Sequence, residues 1–395
     1  MTKTGFIDEV DVELEFGSGG RHVDIRFGIL NHGVLDGSER DTAREIKIGV
    51  IGTAKLIDGF LGWLEECGDG VDAKKSNKPN LFPRFPGFGK GSPFNAYWVC
   101  DARSRRALTQ PDIAALASLG TPGEIVKKAV SLYVAEIDYL VNETKPDVIF
   151  CIVPDELNEQ LDRAAELAGH VARRQDDEDE SDNAYRHDFH HCLKAEVMRY
   201  QTPIQLALPS TFDMGSRGKA TKRKRPKRRK KDRQLQDPAT RAWNLFTAMY
   251  YKAGGAPWRL VRDASDYATC YVGVSFYKSL DEQTVMTSIA QVFNERGEGV
   301  VVRGGQARLS KEDRTPHLSA EDSARILVQA LQRFRQEHGH MPARVVLHKS
   351  SYFVPDELDG FRIALQQERV GMADMLSLRP SHIRLFRKGQ YPVLR

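Results

Sequence analysis

The sequence predicts an α/β protein built in two successive parts. Two observations carry that expectation. Apolar strand-like runs alternate with amphipathic helical stretches through the first two thirds of the chain, and the last third changes rhythm to three strands, a helix, a strand and a helix. Strands alternating with helices favour a mostly parallel sheet covered on both faces.

In chain order, residues 1–45 hold alternating patches (DVELEF, HVDIRFGIL) broken by Gly17, Gly19, Gly20, Gly28 and Gly33. They read as short strands and turns with little core of their own. Ile46–Gly52 is an apolar strand, and Ala54–Glu66 is a helix. Asp69–Pro93, rich in Gly, Pro, Lys and Asn, is mostly loop; its Gly87-Phe-Gly89-Lys-Gly91 neither opens a helix after a strand nor has Walker spacing, so it is a poor phosphate loop. The run FNAYWVC is a strand, followed by a helix over Glu124–Glu143, the buried strand Val148–Val153 and an amphipathic stretch over Asp155–Ala168. Helices over about Asp188–Arg199 and Pro238–Tyr251 flank a strand at Ile204–Leu208. The second part begins with strands Thr269–Phe276, Thr284–Phe293 and Gly299–Arg303. The helix Ala320–His338 places Ile326, Leu327, Ala330, Leu331 and Phe334 on one face. Strand Arg344–His348, a helix near Pro355–Gln367 and Ile383–Arg387 complete the order, which is that of an RNase H-like fold. Fold order alone assigns no function.

Composition bounds the rest. The 395 residues, 41% hydrophobic and 28% charged, suffice for two or three globular domains. No apolar run approaches the ~20 residues of a membrane span, and the opening residues lack a signal-peptide pattern. The five cysteines are scattered with no C-x-x-C spacing, as expected of reduced thiols in a cytoplasm. Residues 217–233 hold twelve Lys/Arg against Asp232, a net of +11; subtracting it from the whole chain's +4 leaves −7. Such a block is either a solvated insertion or a phosphate-attracting arm. The acidic run 175–183 is a solvent-exposed loop by composition.

The informative constellation is His190, Lys194, Gln205 and Lys252. His190 and Lys194 are four apart and share a helix face. Gln205 follows a turn at Pro203, and Lys252 ends a helix just before Gly254-Gly255. Two ammonium groups, an amide and an imidazole are what a phosphate needs. A metal reading competes at the same place, because His187, His190, His191 and Cys192 are ligand types, although no second ligand pair is evident.

The order His190-x-x-x-Lys194, Gln205 and a lysine before Gly-Gly resembles the guide 5′-phosphate pocket of the Argonaute MID domain. The opening LEFGSGGRHVDIRFGIL resembles the segment leading into MID in short prokaryotic Argonautes. Cys270-Tyr-Val-Gly-Val-Ser275-Phe-Tyr-Lys278 and Val302-Arg303-Gly304-Gly305 resemble PIWI strands. The resemblance covers nearly the whole chain from about residue 10. It implies a lead-in over 1–45, a Rossmann-like MID domain over 46–258 with the basic insert 217–233, and an RNase H-like PIWI domain over 259–395. The family continues past a strand of the type 391–395, so the PIWI part is expected to be C-terminally short.

The resemblance also carries functional expectations. His190, Lys194, Gln205 and Lys252 would bind the 5′ phosphate of a short guide RNA, with Mg²⁺ as an accessory ion there. Lys278, Arg303, His348 and Lys349 would contact guide or target backbone. Members that cut carry metal-holding carboxylates where this chain has Ser275 and, in His348-Lys349-Ser350-Ser351, Ser350. A hydroxyl cannot replace an anionic ligand, and Asp281, Glu282 and Glu298 fall elsewhere, so no catalytic residue is expected. The implied partners are a complementary DNA target and an APAZ-containing effector (TIR, sirtuin-like or nuclease) that acts against plasmids or phages. Two alternatives remain: a guide-independent binder acting through the basic insert, and an active nuclease using other carboxylates.

Overall fold

The computed structural model describes residues 12–38, 40–77, 79–116, 119, 121–162, 189–200, 202–212, 236–261, 267–278, 285–287, 290–293, 299–302, 307–309 and 315–379. The basic run 217–233, the acidic run 175–183, His187, Asp281, Glu282, Glu298, Arg303, Gly304, Gly305 and the strand expected at 383–387 lie outside them. The chain divides into compact units Met1–Val261 and Arg262–Arg395.

In the first unit the strands β1 (Leu14–Glu15) and β2 (Arg21–His22), helix α1 (Ile25–His32) and a 3-10 turn (Leu35–Gly37) precede β3 (Arg44–Gly52). Then follow α2 (Ala54–Gly68), β4 (Ala96–Val99), β5 (Arg105–Ala107), α3 (Gln110–Leu116), α4 (Pro122–Glu143) and β6 (Val148–Ile152). Beyond the helical residues 155–162 come α5 (Phe189–Val197), β7 (Ile204–Ala207), α6 (Pro209–Phe212), α7 (Pro238–Lys252) and β8 (Arg259–Leu260). The main sheet runs β4-β3-β6-β7 with β5 beside β3, and every pairing is parallel.

Alternation along β3 and β6 gives this sheet its two covered faces. Ile46, Ile48, Val50, Val148, Phe150 and Ile152 join a core with α2 and α7, whereas Ile51, Ile149 and Cys151 join a second core with α4 and α5. Helix α4 starts at Pro122, two residues before the expected Glu124, because Thr121 and Glu124 form a capping box.

Residues 14–37 are not an appendage. Phe16, Ile29 and Val34 are buried in the core of β3, α2 and α7, and a β-carbon on Gly28 would collide with the Phe16 ring. Strand β1 pairs antiparallel with β8, where Arg259 Nε and Nη2 donate to Glu15 at 2.8 and 2.9 Å. Residues 259–261, expected in the second domain, therefore belong with the first unit. Gly87 (φ +98°) brings its loop against the end of α2, where Phe88 N donates to Gly68 O, so this glycine serves a close approach; no helix follows the Gly87–Gly91 run before β4.

The second unit has a sheet of order β13-β12-β9-β16-β17. Its strands are β9 (Thr269–Val274), β12 (Ala290–Phe293), β13 (Gly299–Val302), β16 (Arg344–Lys349) and β17 (Met372–Ser377). Small pairs flank it: β10 (Phe276–Lys278) with β11 (Val285–Thr287), and β14 (Arg308–Leu309) with β15 (Pro316–His317). Strands β9, β12 and β13 are antiparallel; β9, β16 and β17 are parallel. Helices α8 (Ala320–His338) and α9 (Pro355–Gln367) bury Ile326, Leu327, Leu331, Phe334, Phe361 and Ala364 against Val272, Val345 and Leu347. Gly360 allows their close crossing, since a β-carbon there would strike the Ala320 carbonyl. The strand expected over Thr269–Phe276 is broken at residue 275. Strand β17 was not expected.

Candidate nucleic-acid interface

Helix α5 presents Phe189, Leu193 and Val197 to the core, with Phe189 packed edge-on against Tyr133 of α4 at 5.3 Å. That fixes the neighbouring face carrying half-buried His190 and exposed Lys194. The His190 ring lies 5.3 Å from that of His191. Strand β7 carries Gln205 one register step beyond Ile204, which pairs with Ile149 of β6.

Helix α7 is started by Asp237, which accepts from Thr240 N and Oγ1 at 3.1 and 2.7 Å, with Pro238 as its first residue. Its buried face includes Trp243, Phe246, Met249 and Tyr250, and its last residue is Lys252. From there the ammonium reaches β7: Lys252 Nζ donates to Ile204 O at 2.5 Å and to Gln205 Oε1 at 2.8 Å. The structure thus brings Lys252 and Gln205 into contact.

Lys194 enters through its field. The Lys252 ammonium is pushed down to about 8, first by burial and next by the nearby Lys194 charge, with the Cys151 thiol acting weakly in the other direction. Burial raises the Cys151 thiol itself well above its usual range. Among the described residues neither lysine has a carboxylate partner. An ammonium held on an amide, within the field of a second lysine and with no carboxylate among the described residues paired to either, offers a seat for an anion. The same groups do not fit Mg²⁺: ammonium charges repel a divalent cation, and Gln205 Oε1 already accepts from Lys252. Among the described residues there is no group of three His, Cys, Asp or Glu that could hold a metal.

In the second unit Val274 pairs with Lys349, so Ser275 and Ser350 follow directly at the ends of neighbouring parallel strands, both exposed. Ser275 sits at a strand end and not within a strand as expected. Lys349 is corrected outright as a backbone contact. Its side chain is fully buried, donating to Glu357 Oε2 at 2.6 Å and to Tyr352 O at 2.7 Å, with the Phe276 and Phe353 rings 5.4 and 5.6 Å away. Burial pulls its pKa down while Glu357 opposes the shift. His348 is half-buried beside Tyr271, the rings stacked at 6.4 Å. The side chain of Lys278 lies outside what is described.

Residues that sequence reasoning missed surround the Lys252 turn. Tyr250 OH donates to Asp36 Oδ1 at 2.5 Å, and Arg44 Nη1 donates to Ala253 O at 2.7 Å. Only an unusually polar Asp36–Arg44 stretch before a buried strand could have hinted at them.

No protein-family model matches the chain, and no curated protein matches it in sequence. Solved structures do. Clostridium butyricum Argonaute, bound to a guide DNA and a 19-mer target DNA, superposes with a TM-score of 0.50 at 13% identity, over 95% of this chain and 40% of that one. Marinitoga piezophila Argonaute, in complex with a 5′ OH guide RNA, gives 0.45 at 9% identity over 93% and 44%, and the A. aeolicus protein 0.46 at 10% over 92% and 38%. This chain spans about two fifths of the length of those it matches. At such identity the likeness is one of architecture, and the α/β fold of this protein, parallel sheets included, is Argonaute-like over most of its length.

Proposed function

We propose that the protein holds the 5′ phosphate of a short guide RNA at Lys194, Gln205 and Lys252, with His190 at the rim, and pairs the guide to a complementary DNA target without cutting it. The observation that carries this reading is the Lys252 ammonium held on Gln205 within the field of Lys194, with no carboxylate among the described residues paired to either lysine. Sequence recognition is then delegated to base pairing, as in other guided systems. Ser275 and Ser350, standing where metal-holding carboxylates are expected, support the absence of cleavage. An APAZ-bearing effector switched on by target pairing, in defence against plasmids or phages, completes the proposal; it rests on the sequence resemblance.

The test is direct. Purified protein should carry short RNAs with uniform 5′-phosphorylated ends, and the loaded protein should retain a labelled complementary DNA strand intact in Mg²⁺ or Mn²⁺ on a denaturing gel. Co-purifying fragments with random ends reject guide binding. A discrete product at one fixed distance from the guide's 5′ end, abolished by EDTA, rejects the non-cutting second unit.

The site also has a pH signature. A phosphate monoester is largely dianionic above its second pKa of about 6, so above neutrality only the protein titrates. Lys252 is charged below about 8 and neutral above it. Preference for a 5′-phosphorylated over a 5′-hydroxyl guide should therefore fall as pH rises through about 8, and Lys252→Arg, which stays charged, should flatten that fall. A pH-independent preference in the unsubstituted protein would count against Lys252. In the unliganded chain the sign is opposite: because folding depresses this lysine, stability rises between about 8 and its ordinary value of 10.5.

A further inference from the structure

We infer that Arg44, with Asp36 and Tyr250, is a positioning network that fixes Lys252 for the anion and makes the 3-10 turn at Asp36 and the start of β3 part of the pocket's frame. The inference rests on the reading of Lys194 and Lys252 as a 5′-phosphate site.

The direction of Lys252 depends on the turn that follows it. Gly254 is left-handed (φ +77°), and Gly255 lies so close to the Tyr250 ring that a β-carbon there would collide with it. That turn is gripped from outside. Arg44 Nη1 donates to Ala253 O at 2.7 Å, while Leu35 N and Asp36 N donate to Pro257 O and Ala256 O at 3.0 and 3.2 Å. Helix ends leave carbonyls without partners, and a guanidinium there both satisfies one and favours the helix dipole.

Arg44 is itself held. Its Nη2 lies 3.3 Å from Asp36 Oδ2, and its guanidinium sits 5.6 Å from the centre of the Tyr250 ring. Asp36 Oδ1 accepts from Tyr250 OH, which in turn accepts from Arg40 Nη2 at 2.5 Å. Burial and the Asp36 carboxylate raise the Tyr250 hydroxyl well above its usual range, which keeps it a donor. The network therefore joins the 3-10 turn, β3 and the end of α7. Arg44 hydrogen-bonds Ala253 O and Asp36 and lies over the Tyr250 ring, so it acts through the turn and not on the ligand.

The experiment titrates the full-length protein with one fluorescent RNA bearing either a 5′ phosphate or a 5′ hydroxyl, at several pH values either side of 8. Arg44→Met should lower the phosphate preference roughly ten-fold, the scale of one lost bond to a charged group, and move its pH midpoint upward as Lys252 leaves its buried seat. Hydroxyl-guide affinity should hold. Arg44→Lys, able to reach Ala253 O or Asp36 but not both, should restore part of each effect. Tyr250→Phe keeps the ring in the core and should shift both readouts in the same direction by less. A folded Arg44→Met protein with unchanged preference and midpoint overturns the inference. If that variant does not fold, unchanged values in both Tyr250→Phe and Asp36→Asn overturn it equally. Lack of any phosphate preference in the unsubstituted protein, or its survival in Lys252→Ala, removes the pocket reading and the network with it; preference lost in Lys252→Ala but kept in the Arg44 variants removes the network alone.

Discussion

Lys349→Ala should destabilise the second unit by about 3–5 kcal/mol, the cost of leaving one member of a buried ion pair alone. Lys349 and Glu357 are both fully buried in side chain, and Glu357 does more than neutralise the lysine. Its Oε1 accepts from Leu318 N at 2.8 Å and its Oε2 from Val354 N at 3.0 Å, ahead of α8 and α9 respectively. One carboxylate thus joins the end of β16 to both helix starts, and without the ammonium it is a buried charge served only by two amides. Glu357→Ala should cost at least as much, since it strands those amides along with the lysine. Replacing both by Met and Leu should recover much of the loss, because apolar groups of similar size leave no buried charge. Hydrogen exchange of the β9 and β16 amides reads the effect in the right unit. A loss below about 1 kcal/mol in Lys349→Ala would mean that water or another group solvates Glu357 and that the pair is not structural.

The second large effect is on binding. Lys194→Ala combined with Lys252→Ala should weaken a 5′-phosphorylated guide by about 10²–10⁴-fold, from roughly 1.5–3 kcal/mol per charge-assisted contact. A 5′-hydroxyl guide should change by only a few-fold. The two losses should not add, because the sites repel: removing Lys194 lets the Lys252 ammonium recover toward its ordinary value and bind better than it does beside its neighbour. Lys194→Ala alone should accordingly be the milder variant, with a phosphate preference that persists to higher pH. Equal losses for both guide types in a titration would show that the lysines contact the strand at large and not its end.

How much of this was legible in the sequence varied with the range of the interaction. The face shared by His190 and Lys194 follows from a spacing of four in a helix, and α7 ends at Lys252 beside the expected residue 251. The boundaries of α8 and α9 match their patterns because Ser319, Gly339 and Pro355 mark the ends locally. What failed needed a partner far along the chain. Lys349 reads as a polar strand end, and only the fold shows Glu357 arriving beside it from the next helix. The bond between Arg44 and Ala253 spans 209 positions, beyond any local signal. Strand β17 escaped because Met372–Ser377, a strand with exposed ends on one edge, lacks apolar alternation. The break at Ser275 divides one continuous β-type run, a change of partners that propensity does not encode.

The pairing of β1 with β8 bears on synthesis at the ribosome. Glu15 waits 244 positions for Arg259, and Phe16 and Ile29 wait for α7 to complete the core they enter. At about 5–20 residues per second that is a delay of roughly 12–50 s. During it a nascent chain displays apolar residues 16–35 with nothing native to bury them against α7. The first unit cannot lock until most of it has emerged, which makes it a slow, non-local folder and exposes it to chaperone capture over most of its translation.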